Sequence, residues 1–537
     1  MATPAGAAVA CPPASLVGQA RGGAEPTLTV LVSVAISYFA YRAVYSLVPA
    51  LANDLVAKGL RGRDMLKPGF KRDDDDDGPA AADDSIPGRK HLPEATGVIG
   101  AAVYILLLSL FAPLPYLSSL LPASLLTPTL SSFPTLNGTI SSMSAFQASD
   151  DPCAASVLLA FPHHSFATYL ASLLSLLIAT FLGFCDDVFD IRWRFKLPIP
   201  VIASVPLLVT YAAGHGVTDI VLPNLFRIRE LFQVVHTNGV FHLGPLYYVY
   251  MSMLSTFCTN SINILAGVNG VEVTQGLLIA LSIIVNDLLY LTFSPTPFLP
   301  LLAYLPEPVR PSRETLAALA DKTYSLGYAH GSQELADRHL FSLYFMLPLV
   351  GVCLGLLRHN WYPANAFIGD TFCYFSGMAF AVVGILGHFS KTLLLFFLPQ
   401  IFNFLYSVPQ LFGLVPCPRH RLPRLDAQNG TGNLVNSWAP ILPRSQRTAR
   451  HKLGVLILRI FETFRLVRLE RDPGTNEISA TTNLTILNLL LLWGGSVRED
   501  ALTRRMGYVQ VAGSLVAFGI RYGLGAWAYG GRAAGRE

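Results

Sequence analysis

YLASLLSLLIATFLGFCDDVFDIRWRFK, residues 169–196, decides how the rest of the chain is read. Its first half carries no charge, and with the apolar residues before it the run matches the roughly 20 residues a helix needs to cross a bilayer core. Three carboxylates follow, Asp186, Asp187 and Asp190, and then three cations, Arg192, Arg194 and Lys196. An apolar run that stops on a block of charge is a spanning helix meeting a membrane face.

Comparable apolar stretches occur at 27–51, 97–121, 154–182, 198–213, 244–266, 274–292, 340–357, 371–387, 391–411 and 508–527. The composition agrees, with 52% hydrophobic and only 13% charged residues, against about 25% charged in ordinary soluble domains. The expected fold is therefore an all-α polytopic membrane protein of about ten transmembrane helices. The first stretch begins well inside the chain and is followed by a charged loop, which reads as a retained helix and not a signal peptide. Seven scattered cysteines without a CxxC pair suggest neither a disulfide framework nor a zinc site. A net charge of +4 with no dense basic face argues against a nucleic-acid partner.

Orientation follows from the loops, because Lys and Arg collect on the cytosolic side. Residues 52–96 hold Lys58, Arg61, Arg63, Lys67, Lys71, Arg72, Arg89 and Lys90, whereas residues 117–160 hold neither Lys nor Arg. Alternation then brings the loops near Asp186, Gly267, Asp370 and Arg419 to the cytosolic face, together with the basic segment 416–471. The sequon at Asn137 falls on the opposite side, and those at Asn429 and Asn483 on the cytosolic side, out of reach of glycosylation. The aspartate run 73–77 has no apolar periodicity and reads as a solvated loop.

Four polar clusters meet that face. In the first, adjacent Asp186 and Asp187 repel one another beside lipid, so their retention implies a cation, a proton or a substrate. If the helix persists past them, Asp190 joins Asp186 on one face; a solvated helix end paired to the following cations is the plainer alternative. The second holds Asn260 and Asn263 one helical turn apart, then Gly267, Asn269, Gly270 and Glu272. Amide oxygens suit a hard cation and the glycines a close ligand, although such a turn also serves as a simple helix connection. The third brings Asp370 to the start of a helix, where it could equally complement the dipole. The fourth gathers Arg419, His420 and Arg421, whose donors suit phosphate. Together acids, amides and basic groups on one face specify a site for a diphosphate and a divalent metal.

The strings GFCDDVFDIRWRFK (183–196), FCTNSINILAGVNGVE (257–272), HNWYPANAFIGDTFCYFSGMAFAVVGILGHFSKT (359–392) and FNFLYSVPQLFGLVPCPRHRLPR (402–424) resemble the polyprenyl-phosphate N-acetylhexosamine-1-phosphate transferase family, in its eukaryotic form. The resemblance implies ten helices around a cytosol-facing site, Mg2+, and transfer of GlcNAc-1-phosphate from UDP-GlcNAc to dolichyl phosphate with release of UMP. It also implies an endoplasmic reticulum membrane and a homodimer. By motif, Asn263 and Asp370 would hold Mg2+, Lys196 and Arg421 would contact the diphosphate or sugar phosphate, and Asp186 and Asp187 are the family's acidic pair. Asn260, Gly267, Asn269 and Glu272 would line the nucleotide and diphosphate region, and Asp64 and Glu94, in GRDMLKPG and LPEATG, its nucleotide end. Arg419, His420 and Arg421 fall in the loop that reads the N-acetyl sugar. The implied organisation is a tail (1–26), a transmembrane catalytic core (27–412), a cytosolic sugar-recognition insertion between the last two helices (413–507), and a final helix with its tail (508–537).

A transporter of polar lipids is the rival from another class. Its acids would sit near the bilayer midplane, whereas these sit at span ends.

Overall fold

The computed structural model describes residues 26–62, 91–117, 161–196, 198–214, 216–221, 240–293, 333–418, 421–426 and 432–525, with single residues and pairs between 311 and 325. Asp64, Asn137, Arg419 and His420, and the aspartate run 73–77, lie outside the described residues.

The chain is mostly helical. In order come α1 (Pro26–Ala57), α2 (Gly97–Phe111), α3 (His163–Phe189), the single turn α4 (Trp193–Lys196), α5 (Ile199–Ala213), α6 (Pro245–Ile264), α7 (Val271–Leu288), α8 (Gln333–Asn360), α9 (Gly369–Leu386), α10 (Ser390–Phe396), α11 (Leu398–Leu411), α12 (Ala449–Thr463), α13 (Ile486–Gly494) and α14 (Glu499–Phe518). Apolar stretches become helices in lipid because only that conformation satisfies every backbone polar group within the segment.

Helices stand in each of the ten stretches, but among the described residues six are long and apolar enough to span alone, or seven if the pair α10 and α11, bent by 69°, counts as one. The others fall short for physical reasons. At 15 residues α5 reaches only about 22 Å of a core of about 30 Å. Ser, Thr and Asn residues dilute α6, and α14 opens on the acids Glu499 and Asp500 and starts nine residues before the apolar stretch at 508.

α9 is the axis of the bundle, with every residue from Thr371 to Ile385 buried. It packs against α2, α3, α6 and α8. Two glycines let it approach closely: a Cβ on Gly377 would stand 2.4 Å from the Thr259 Cα of α6, and one on Gly183 of α3 would stand 2.8 Å from the Tyr374 Cβ. In a bilayer, where apolar burial gives no drive between helices, such close backbone packing is a main source of association.

The purely helical expectation fails in the segment 413–507. There Ile478–Thr482 is the middle strand of an antiparallel sheet between Leu469–Arg471 and Trp438–Pro440. Backbone groups there pair across short strands instead of within a helix. A smaller pairing, Arg61–Gly62 with Leu92–Pro93, closes the base of the first loop.

Candidate active site

The first acidic cluster lies at the junction of α3, α4 and α9. α3 ends at Phe189, and Asp190 takes the left-handed conformation with φ +46°, a common way to stop a helix. The acidic face therefore stops at Asp187: Asp190 turns out of the helix and is exposed.

Asp186 and Asp187, neighbours in sequence, do different work. Asp187 accepts hydrogen bonds from the backbone N–H of Asp370, from that of Thr371 at 3.0 Å, and from the Thr371 hydroxyl. It thus satisfies the otherwise orphaned donors at the N-terminus of α9 from across the interface, where negative charge also meets the helix dipole. Gly369, with φ +71°, is required beside it, since a Cβ there would stand 2.5 Å from an Asp187 carboxylate oxygen.

Asp186 is 2% exposed and faces the other way. Its Oδ2 lies 2.9 Å from Lys196 Nζ and accepts from the Tyr374 hydroxyl at 3.3 Å, while its Oδ1 accepts from the Ile191 N–H at 3.1 Å. Lys196 also donates to Asp370 Oδ2 at 2.7 Å, so one ammonium bridges acids 184 positions apart in sequence. Burial works against the charged lysine, but Asp370 and Asp186 outweigh it and hold its pKa above the ordinary value. The Asp370 side chain keeps 27% of its surface open, which makes it the accessible acid of the group.

Glu94 reaches the same place through backbone pairing. Phe367 donates to the Pro93 carbonyl at 2.8 Å, and Thr96 and Gly97 donate to the Phe367 and Ile368 carbonyls. Burial first, and then the charge of Asp370, raise the Glu94 pKa above the ordinary glutamate value.

The second cluster is a braced turn. Gly267 and Gly270 have φ of +101° and +82°, values that favour glycine. The Gly267 N–H donates to Glu272 Oε1 at 2.6 Å, the Gly270 N–H to Asn360 Oδ1 at 2.9 Å, and the Asn269 N–H and amide to the two Glu499 oxygens at 2.7 and 3.3 Å. Glu272 and Asn269 are buried and hold the turn's shape. The Asn260 amide donates back to the Thr256 carbonyl at 2.9 Å, within its own helix. Asn263, half-buried one turn beyond the Thr259–Gly377 contact, stands at the end of α6 that meets the start of α9.

The turn meets the fourth cluster through Leu422, whose Cδ2 lies 2.6 Å from where a Gly267 Cβ would be. The preceding Arg421 is half-buried, and its Nη1 is buried with no hydrogen-bond partner among the described residues. A buried guanidinium nitrogen left open is costly and fits an anion. Its backbone is fixed, the Arg421 carbonyl accepting from the Asn488 amide at 2.9 Å and the Ser437 hydroxyl at 3.1 Å.

Among the described residues no three His, Cys, Asp or Glu side chains converge as a metal cage. The carboxylate and amide oxygens of Asp370 and Asn263 are of the donor type that a hard cation takes. Sequence reasoning missed Tyr374, Asn360 and Glu499. Asn360 stood at the edge of a quoted string, but nothing near Glu499 in sequence signals its partner 230 positions away.

The family model described as glycosyl transferase family 4 matches residues 169–388. The chain is 40% identical over 474 residues to the UDP-N-acetylglucosamine–dolichyl-phosphate N-acetylglucosaminephosphotransferase of Schizosaccharomyces pombe, covering 88% of this chain and 87% of that protein. Proteins of the same name from Saccharomyces cerevisiae and Dictyostelium discoideum are 35% identical over 501 residues and 36% over 481, covering 93% and 89% of this chain and 93% and 85% of theirs.

Proposed function

This chain belongs to the family of UDP-N-acetylglucosamine–dolichyl-phosphate N-acetylglucosaminephosphotransferases, and we propose that its polar cluster transfers GlcNAc-1-phosphate from UDP-GlcNAc to dolichyl phosphate. The observation that carries this reading is the Lys196 ammonium held between Asp186 and Asp370 at the meeting of three helices, beside a turn that touches the Arg421 loop. Such a site can take a diphosphate at the surface of a lipid that holds the acceptor.

In the reaction, an oxygen of the dolichyl phosphate attacks the sugar-side phosphorus of UDP-GlcNAc. A new P–O bond forms there as the bond to the UMP oxygen breaks in line. A phosphate monoester is already largely ionised near neutral pH, so the protein supplies position and charge compensation rather than a strong base. The occupied oxygens of Asp187 and the pairing of Asp186 with Lys196 support direct attack over a covalent aspartyl intermediate. Lys196 and Arg421 hold the phosphates, and the Gly267 turn supports the nucleotide end. Asp370 and Asn263 are the residues that would hold Mg2+, which when bound neutralises diphosphate charge.

The site faces the cytosol in this reading, from an endoplasmic reticulum membrane, with 413–507 as the sugar-reading insertion and Arg419 and His420 assisting Arg421. The contrast between the basic stretch 52–96 and the Lys- and Arg-free stretch 117–160 supports that orientation. A homodimer is the assembly the family resemblance favours. The test is direct: purified protein given Mg2+, dolichyl phosphate and a panel of UDP-sugars should release UMP with UDP-GlcNAc and lose that release with chelator. Equal release from UDP-glucose would overturn the donor assignment.

A further inference from the structure

The helix α12 has two faces that call for different surroundings. On one, Gly454 and Leu458 are buried, with Leu458 in a small core beside Tyr406 of α11 and Val415. The contact is close: a Gly454 Cβ would stand 2.1 Å from the Leu414 carbonyl oxygen, just past the end of α11. On the other, Leu453, Leu456, Ile460 and Phe464 are exposed, Leu456 by 54% and Phe464 by 68%. At about 100° per residue these four fall in one narrow stripe. Lys452 and Arg459, both exposed, flank it on one side and exposed Arg450 on the other.

Neighbouring elements carry exposed apolar side chains as well. Phe412, at the end of α11, is 67% exposed, as is Trp493 of α13 by 60%, with its indole N–H donating to the Arg465 carbonyl at 2.8 Å. Leu405, about two turns back along α11, is exposed as well, on a helix that belongs to a candidate span. Exposed apolar side chains thus occur both on α12 and on the candidate span against which its buried face packs. An apolar stripe bordered by cations and flanked by an anchored Trp is the pattern of a helix lying in the plane of a bilayer surface.

We propose that α12 lies flat in the headgroup layer, its apolar stripe toward the acyl chains and Arg450, Lys452 and Arg459 on anionic phospholipid headgroups. The inference needs only that the chain spans a membrane, and stands or falls apart from the transferase reading. One consequence concerns the site. The segment that carries α12 also fixes the Arg421 backbone through Asn488, so seating it on the membrane sets the height of Arg421 above the lipid surface.

The test uses the full chain in nanodiscs of phosphatidylcholine and phosphatidylserine. Bimane is placed on Leu456→Cys or on Thr475→Cys, which lies on the exposed turn of the sheet, and the signal of the unsubstituted chain is subtracted. Lipids spin-labelled near the headgroup should quench the label at 456 several-fold more than that at 475, while aqueous iodide should show the reverse order. Adding Lys452→Gln and Arg459→Gln should reduce the lipid quenching at 456, as should leaving out phosphatidylserine. Equal iodide quenching at both positions without lipid quenching would overturn the proposal, as would efficient cross-linking of Leu456→Cys between two copies. UMP release is not the readout, so failure here is distinguishable from failure of the transferase assignment.

Discussion

The chain handles buried polarity in two ways. At the junction of α3, α4 and α9 the groups are charged and partly open: one ammonium serves two carboxylates, and Asp370 keeps water contact. Beneath the Arg421 loop they are neutral and closed. There the Asn483 amide donates to the Ser437 hydroxyl at 2.8 Å, the Gln410 amide to Asn483 Oδ1 at 2.9 Å, and the Ser437 N–H to Asn488 Oδ1 at 2.9 Å. A saturated amide network fixes a shape, whereas an ionic cluster left partly open can accept further charge. The same contrast disposes of the Asn483 sequon, whose asparagine is fully buried and bonded.

The sharpest way to break the contrast is Asp370→Asn. With Asp370 at the open site, UMP release should fall by about 10²-fold to 10³-fold, and its magnesium titration should weaken, while the protein elutes as a single folded species. Near-normal turnover would make the ionic cluster structural, like the amide network.

Arg421 joins the two regions, with its backbone on the network and a guanidinium nitrogen left open. Arg421→Ala should lose about 10²-fold in UMP release, and Arg421→Lys should recover little because an ammonium lacks the planar fork. Full recovery with lysine would mean that charge alone is read there.

Gly369→Ala tests whether Asp187 serves α9 rather than the substrate. The added Cβ collides with the carboxylate in a left-handed backbone, so stability should drop by about 1–3 kcal/mol, measured by thermal unfolding in detergent. Asp187→Asn should cost less, because an amide oxygen still accepts from the helix N-terminus. Loss of activity without loss of stability in both variants would return Asp187 to the reacting groups.

On the neutral side, Asn488→Ala should destabilise by about 1–3 kcal/mol through unpaired partners, with a smaller fall in UMP release. Pairing it with Asn483→Ala should give less than the sum, since the two share Ser437.

The smallest effect belongs to Glu94, whose folded-state pKa is raised by burial and by Asp370. The folded chain holds that proton more tightly than the unfolded one, so this contribution to stability declines as pH rises above the ordinary glutamate range. Glu94→Gln should flatten that part of the stability profile only slightly, because the carboxyl is partly buried and water still screens it. An unchanged profile would remove the coupling to Asp370.

Much of the fold was legible, because lipid forces an apolar run of sufficient length into a helix, and the ten stretches each hold one. The strands at 438–440, 469–471 and 478–482 were not, being three to five residues long and too short for alternation to register. In the candidate site, Asp186, Asp370 and Lys196 stood out as charges beside apolar runs. The division of labour between Asp186 and Asp187 did not, nor did the roles of Glu499 and Asn360.

The sequence by itself determined a membrane-spanning helical protein with its acids and cations gathered at helix ends, since hydrophobicity and charge act locally and can be read along the chain. Only the tertiary structure decided which carboxylate caps a helix, which pairs with Lys196 and which stays open. Those roles are set by contacts between groups as many as 188 positions apart, and they depend on how closely Gly183 and Gly377 let the helices approach, a distance no local pattern encodes.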